Sequence, residues 1–362
     1  MNIVLLITGL SRAGAERQVC DLADQYVGLG HRVLLISLTA EIIQTPTSKH
    51  VQLECLNMQR TVGSFLTIYI KLRTQIKQFK PDILHSHLIH ANLLARLLRL
   101  SIVIPKLICT AHNTRIGGRF STLAYRLTDR LANISTNVST EAVQVFIDAG
   151  ATRQGRMVTM HNGVNTDVFH AVQNSGMDVR KELRLSKHTP LLLAVGRLTE
   201  QKDYPNLFHA FEQVLQIHGS ARLAIAGTGT LKLSLLDSVK KLGLEDRIIF
   251  LGSRDDVPAL MNAADVLVLS SAWEGFGLVV AEAMACECLV VATDSGGVKE
   301  VLGDSGRLVP PQNSSALAAA INEVLSLDAP KKDQLHSRAR ARVLKHYSIK
   351  SAAQRWIKLY EA

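Results

Sequence analysis

The sequence predicts an α/β protein made of two doubly wound parallel sheets in tandem, and three observations predict it. Short Val/Ile/Leu runs recur without polar alternation, as strands covered on both faces do. They alternate with helix-like segments, which calls for a doubly wound sheet rather than a meander. The pattern also starts twice. "NIVLLITGL" runs into a glycine turn and the helix-like "GAERQVCDLADQYVGLG", and near residue 190 "PLLLAVGRL" does the same before "YPNLFHAFEQVLQIHG". "HRVLLISL", "DILHSH", "KLICTAHN" and "ISTNVST" supply the other strands of the first half. "ARLAIAG", "RIIFLG", "DVLVLSS", "CLVVATDSGG" and "GRLVPP" supply those of the second. Two Rossmann-like domains facing a cleft follow, spanning 1–169 and 189–345. The polar stretch 170–188 is the expected linker.

Composition narrows the class. With 362 residues, 47% hydrophobic and 20% charged, the chain can bury two cores. No apolar run reaches the length of a membrane-spanning helix. "MNIVLLITGL" reads as a strand, not a signal peptide, so a cytoplasmic protein is expected. Cys20, Cys55, Cys109, Cys286 and Cys288 are odd in number and lack C-x-x-C spacing, which argues against a disulfide framework or a zinc site. Residues 1–165 hold 18 Lys and Arg against 9 Asp and Glu, and the rest 23 against 22. A basic half attracts nucleic acid or anionic lipid. The low aromatic content and the lack of a zinc-finger or RNA-recognition signature disfavour nucleic acid.

The stretch "SSAWEGFGLVVAEAMAC" carries the most chemistry. A strand ends near Ser271 and a helix follows, so Gly275 and Gly277 fall at a strand-to-helix turn whose free N–H groups favour an anion. Glu274 in the turn and Glu282 down the helix can both reach a polar ligand there. A nucleotide sugar suits this, with phosphates on the N–H groups and hydroxyls on the carboxylates. A local pair or cap on a solvent face is the alternative for Glu282. In "GRLTEQKDYPNLFHAF", Arg197 and Lys202 follow a strand end, where parallel sheets bind ligands and cations meet phosphate oxygens. An ordinary solvated loop is the alternative. Gly14 in "TGLSRAGAERQV" is either a plain turn glycine or a point of close approach to a diphosphate. Neither G-x-G-x-x-G nor a phosphate-loop motif is present.

His85, His87 and His112 end apolar strands of the basic half. His85 and His87 share a strand face but lack a third metal ligand, so no metal site is expected. His87 reads as a hydrogen-bonded loop histidine, whereas His112, followed by Asn113 and Thr114, stands where cleft residues belong. In "SFLTIYIKLRTQIKQFK", Phe65, Ile68, Tyr69, Leu72, Ile76 and Phe79 fall at helical spacing, with Lys71, Arg73, Lys77 and Lys80 largely elsewhere. Either a core-facing helix or a peripheral face for anionic membranes has this pattern.

Taken together, these motifs resemble the retaining GT-B glycosyltransferases of family 4, or group 1. The resemblance spans nearly the whole chain. It rests on Glu274 and Glu282 in "EGFGLVVAEAMAC", supported by "VGRLTEQKDY", "NGVNTDVF", "DRIIFLG", "ADVLVLSS" and "TDSGGVKEVL". "HYSIKSAAQRWIKLY" is similar to the family's final helix, which implies that 346–362 crosses back to the first domain.

The resemblance implies that Arg197 and Lys202 bind the donor diphosphate and Glu282 the ribose hydroxyls. Glu274 would orient the transferred sugar with the N–H groups of Phe276, Gly277 and Leu278. His112 would touch the sugar and support developing charge, and the Gly14 loop would lie against the phosphates. No cofactor and no divalent metal is implied. Departures from the usual pattern are Ala13 before Gly14, Thr228 between two glycines, His161 before the asparagine-glycine pair and Asn165 after it.

The expected activity is transfer from a nucleotide sugar, UDP favoured, to a polyprenyl-diphosphate-linked saccharide or glycolipid of surface polysaccharide such as O-antigen or capsule. The expected location is the inner face of the cytoplasmic membrane. A soluble transferase with a small acceptor and a sugar-nucleotide epimerase share the fold. A non-catalytic nucleotide-sugar-binding regulator is disfavoured by the intact charged positions, and a NAD-dependent oxidoreductase by the missing glycine fingerprint.

Overall fold

The computed structural model describes residues 1–59, 61–172 and 175–362. Thirteen strands are described: β1 (Asn2–Ile7), β2 (Arg32–Ser37), β3 (Gln52–Cys55), β4 (Ile83–His87), β5 (Lys106–Thr110), β6 (Ile134–Asn137), β7 (Met157–Thr159), β8 (Leu191–Val195), β9 (Arg222–Ala226), β10 (Ile248–Gly252), β11 (Val266–Leu269), β12 (Leu289–Thr293) and β13 (Arg307–Val309). They form two sheets, ordered β3-β2-β1-β4-β5-β6-β7 and β10-β9-β8-β11-β12-β13. Every pairing is parallel. Each sheet winds outward one way from its first strand and then the other way. The order therefore reverses between β1 and β4 in one sheet and between β8 and β11 in the other. Ligands of open α/β sheets bind beyond the carboxyl ends of strands at such switch points.

The apolar runs are buried from both sides, as their lack of alternation required. In β1, Val4 and Leu6 enter one core with Ile68, Leu72 and Leu94. Ile3, Leu5 and Ile7 enter the opposite one with Val19, Tyr26, Trp356 and Tyr360. In the second sheet, Leu192, Ile225 and Val268 pack with Leu207, Phe211 and Ile321. Each such side chain contributes about 1.5–3 kcal/mol on leaving water.

The compact units are Met1–Gly163 with Ile349–Ala362, and Val164–Ser348. The helix Ile349–Glu361 thus belongs to the first unit. Tyr360 Oη lies 2.6 Å from His85 Nδ1 and 3.0 Å from Tyr26 Oη. The Lys106 ammonium donates to the carbonyls of Leu359 and Tyr360, a cation on a helix carboxyl end.

Three expectations meet a different arrangement. The stretch 170–188, expected to link the domains, contains the helix Ser175–Glu182 and lies within the second unit; residues 173 and 174 lie outside the described residues. Arg180 ties that helix down by an ion pair to Asp265 at 2.8 Å. In the helix Val62–Phe79, Ile68, Leu72, Ile76 and Phe79 are core residues, so the core-facing alternative holds and this stripe is not a membrane face. His87 is not a loop residue: it closes β4 and is almost fully buried.

Candidate active site

Beyond the carboxyl ends of β8 and β11, two loops are stitched together. After β8, Gly196 and Arg197 lead into a 3-10 turn, Glu200–Lys202, and then the helix Tyr204–Ile217, which has Pro205 in its first turn. Tyr204 Oη donates to the Gly196 carbonyl at 3.0 Å. The Leu198 N–H donates to the Thr228 carbonyl at 2.9 Å, so the glycine-flanked Thr228 loop braces the segment carrying Arg197.

After β11, Ser270 Oγ donates to the Lys202 carbonyl at 2.7 Å, and the Ala272 N–H to the Gln201 carbonyl at 2.9 Å. At the centre, Lys202 Nζ lies 2.5 Å from Glu274 Oε1. Ser271 Oγ donates to the same oxygen at 2.7 Å, and Gln201 Nε2 approaches Oε2 at 3.4 Å. Glu274 is only 7% exposed. A carboxylate so deep needs a cation and donors, and it has Lys202, Ser271 and Gln201. Thr293 Oγ1 holds the Ser271 carbonyl at 2.6 Å and fixes the turn from below.

The turn then reverses into the helix Leu278–Ala285. Gly277 precedes it in left-handed backbone, φ 83°, which glycine takes without a Cβ penalty. Phe276 is buried, its ring edge-on to Tyr347 at 5.6 Å between centroids. Gly296, at φ 59°, passes the Glu274 backbone so closely that a Cβ there would lie 1.8 Å from its carbonyl oxygen. Glu282 sits in the helix's second turn, half-buried. Burial, and then the Glu282 charge, push the neighbouring Cys286 thiol up to about 12. Arg197 is exposed, and its guanidinium has no partner among the described residues.

In the first unit, Gly14 opens the helix Gly14–Gly28 beyond the end of β1, with Ala13 as its extended N-cap. Beyond β5 lies His112, half-buried. Its Nε2 is 3.0 Å from His87 Nδ1. His85 uses both ring nitrogens, Nδ1 with Tyr360 and Nε2 with Thr110 Oγ1, each at 2.6 Å. The His85 and His87 rings are 4.0 Å apart. Burial holds His85 and His87 well below the usual imidazole range and pushes His112 down to about 4, so all three are uncharged at neutral pH. Among the described residues no group of three potential ligands is placed to hold a metal.

Of the predicted residues, Lys202 and Glu274 are brought into direct contact, while Gly275, Phe276, Gly277 and Leu278 form the turn beside them. Gly14 and His112 lie at the first sheet's carboxyl edge. The sequence reading missed Ser271, Gln201 and Tyr204, which hold this turn, and the His87–His112 contact. The only signal was the place of Ser271 and Gln201 after predicted strands and of Tyr204 at the start of a predicted helix.

Comparison with known proteins follows the same division. Residues 12–168 match the model of Glycosyltransferase Family 4 and residues 177–342 that of Glycosyl transferases group 1, which between them take in most of the chain. An uncharacterized glycosyltransferase of Methanocaldococcus jannaschii is 29% identical over 238 residues, 64% of this chain and 60% of the relative. The N-acetylgalactosamine-N,N'-diacetylbacillosaminyl-diphospho-undecaprenol 4-alpha-N-acetylgalactosaminyltransferase of Campylobacter jejuni is 30% identical over 164 residues, 44% of each chain. The chain thus spans between 44% and 60% of the length of these relatives. HepE of Anabaena, crystallised with UDP and glucose, superposes with a TM-score of 0.85 at 23% identity over the whole of both chains, a likeness of fold. With both of the family's domains present in order, the chain belongs to the group 1, family 4 glycosyltransferases.

Proposed function

We propose that this protein moves a sugar, with retention of configuration, from a nucleotide-diphosphate sugar to a polyprenyl-diphosphate-linked saccharide or related glycolipid of surface polysaccharide. One observation carries the reading: the ion pair of Lys202 and Glu274 beside the start of the helix Leu278–Ala285, at the second sheet's switch point. Glu274 and the Ser270 contact hold Lys202 in place, yet an ammonium has three donors and Glu274 occupies one. The others, with Arg197 and the N–H groups of the turn, face the charge that builds on the diphosphate as its bond to the anomeric carbon breaks. A cation already fixed, as Lys202 is by Glu274, loses little in reorganising, which is the main source of such stabilisation.

The acceptor oxygen forms the new bond on the same sugar face, and its proton passes to the leaving phosphate. Glu274 is committed to Lys202 and Ser271, so it orients the sugar rather than attacking it. Glu282 takes the ribose hydroxyls, His112 meets the sugar, and the Gly14 turn lies against the phosphates. The protein's own cations neutralise the leaving group, and no divalent ion is assigned a role. Uridine is the favoured base, and HepE, of the same fold, was crystallised with UDP. The lipid-linked acceptor draws on the diphospho-undecaprenol named for the Campylobacter relative.

Peripheral attachment to the inner membrane face is part of the reading, but through a different segment from the helix Val62–Phe79. The helix Arg119–Thr128 exposes Phe120 (90%), Leu123 and Leu127 (72%) along one stripe, flanked by the exposed Arg119, Arg126 and Arg130. An apolar stripe edged by arginines is suited to an anionic headgroup layer. No helix among the described residues is long and apolar enough to cross a membrane.

A thermal-shift panel of nucleotide sugars tests the donor site. One diphosphate-sugar class, UDP-linked, stabilises the wild type. Glu282→Ala and Lys202→Ala, each compared with its own ligand-free melting point, lose most of that shift. Equal shifts in all three proteins would remove the assignment. Binding to phosphatidylglycerol vesicles, weakened by salt and by a Phe120→Ser/Leu127→Ser double change, tests the membrane face.

A further inference from the structure

The Lys202 side chain runs over the bare Cα of Gly196 on its way to Glu274. A Cβ at position 196 would lie 2.8 Å from Lys202 Cε, 3.2 Å from Cδ and 3.4 Å from Cγ. Three successive atoms of the stem thus pass the face of residue 196 on which any other residue carries its side chain. We propose that Gly196 is a positioning residue for the transfer reaction. It acts through Lys202, leaving open the track along which the stem lies and so aiming the ammonium at the leaving diphosphate. This rests on the reading that Lys202 meets the donor diphosphate.

Neither backbone at this contact is free to back away. The Gly196 N–H donates to the Ala226 carbonyl at 3.0 Å, and the Gly196 carbonyl accepts from Tyr204 Oη at 3.0 Å. Gly227 presses against the same peptide, since a Cβ there would lie 1.9 Å from the Gly196 carbonyl oxygen. Lys202 is held as well. Its N–H donates to the Thr199 carbonyl at 3.1 Å, and its carbonyl accepts from Ser270 Oγ at 2.7 Å.

What can move is the stem, which has other staggered rotamers. A methyl group at position 196 is therefore accommodated by rotating the stem, and the ammonium leaves its place 2.5 Å from Glu274 Oε1. Conformational freedom does not account for the glycine, because Gly196 is not in left-handed backbone. Alanine fits the chain path at 196, and what it displaces is the lysine.

A crystal structure of Gly196→Ala, calorimetry with UDP and saturation-transfer spectra with uridine test this on the full chain. Gly196→Ala folds, and Lys202 Nζ lies beyond about 3.2 Å from Glu274. UDP binds it about tenfold or more weakly, the loss of one charged hydrogen bond. Uridine, which has no phosphate, binds it as it binds the wild type. In Lys202→Ala the stem is gone, so adding Gly196→Ala brings no further loss of UDP affinity. Should Gly196→Ala alone not fold, Gly196→Ala/Lys202→Ala melts where Lys202→Ala does. An ion pair that keeps its length in Gly196→Ala overturns the proposal, as does unchanged UDP affinity or an equal loss for uridine. A loss that adds in full to that of Lys202→Ala also overturns it, because the methyl group would then be acting on the ligand or the backbone. UDP affinity in Lys202→Ala equal to that of the wild type would instead overturn the reading beneath, and the crystal structure would still decide whether Gly196 sets the path of the stem.

Discussion

The two sheets share one winding order, but their switch points hold opposite kinds of chemistry. Beyond β8 and β11 lies a charged pair, Lys202 with Glu274, sunk in a turn and satisfied by Ser271 and Gln201. On β4, beside the first switch point, and just past β5 sit three imidazoles that burial keeps neutral. The difference comes from partners rather than depth. Lys202 and Glu274 meet in one ion pair, whereas the imidazoles pack against one another and against Tyr360 and Thr110, have no such partner and stay unprotonated. Equal topology thus fixes where ligands bind and leaves the charge at the site to a few side chains.

The largest expected effect of breaking this contrast comes at the charged pair. Lys202→Ala or Glu274→Ala leaves a buried charge unmatched and costs about 3–5 kcal/mol of stability, measurable by urea unfolding. Transfer falls by about a hundredfold or more, as on losing a group that stabilises developing charge. A Lys202→Met/Glu274→Leu double change recovers much of the stability but none of the transfer, which separates the pair's structural role from its chemical one.

The neutral cluster responds to pH instead. The unfolded chain binds protons on histidine near 6.5, while the folded state does so only at lower pH, so stability rises with pH through this window and is lost as pH falls below 6.5. Each of the three removes about 1.4 kcal/mol per pH unit there, for His112 down to about 4. Unfolding curves at stepped pH give the slope, and His112→Asn reduces it by roughly the share of one histidine.

A smaller loss follows Tyr360→Phe, which removes the hydroxyl between His85 and Tyr26. It costs about 1–3 kcal/mol and leaves nucleotide binding intact. Smallest of all, Glu282→Ala changes stability by about 1 kcal/mol or less, the ordinary cost of truncating one half-buried side chain. By calorimetry it weakens donor binding about tenfold, the loss of one charged hydrogen bond.

The central strands were legible because burial from both sides leaves an uninterrupted apolar run, as in "VLLI" of β1 or "VLVL" of β11. The edge strands β3 and β7 were not: "QLEC" and "MVT" are short and half polar, and pairing with β2 and β6 decides them. At the site, residue types were readable but partners were not. Lys202 and Glu274 are 72 positions apart, and nothing local announces that they meet. Helical spacing also could not separate Ile68, Leu72 and Ile76, which face the core, from Phe120, Leu123 and Leu127, which face water. The deciding fact is what packs on the other side.

The most direct test is a crystal structure with an intact nucleotide-diphosphate sugar. The account predicts diphosphate oxygens within about 3.2 Å of Lys202 Nζ and the Arg197 guanidinium, with a backbone N–H of the 276–278 turn within the same reach and Glu282 on the ribose. A diphosphate bound elsewhere, with Lys202 still held only by Glu274, would contradict it.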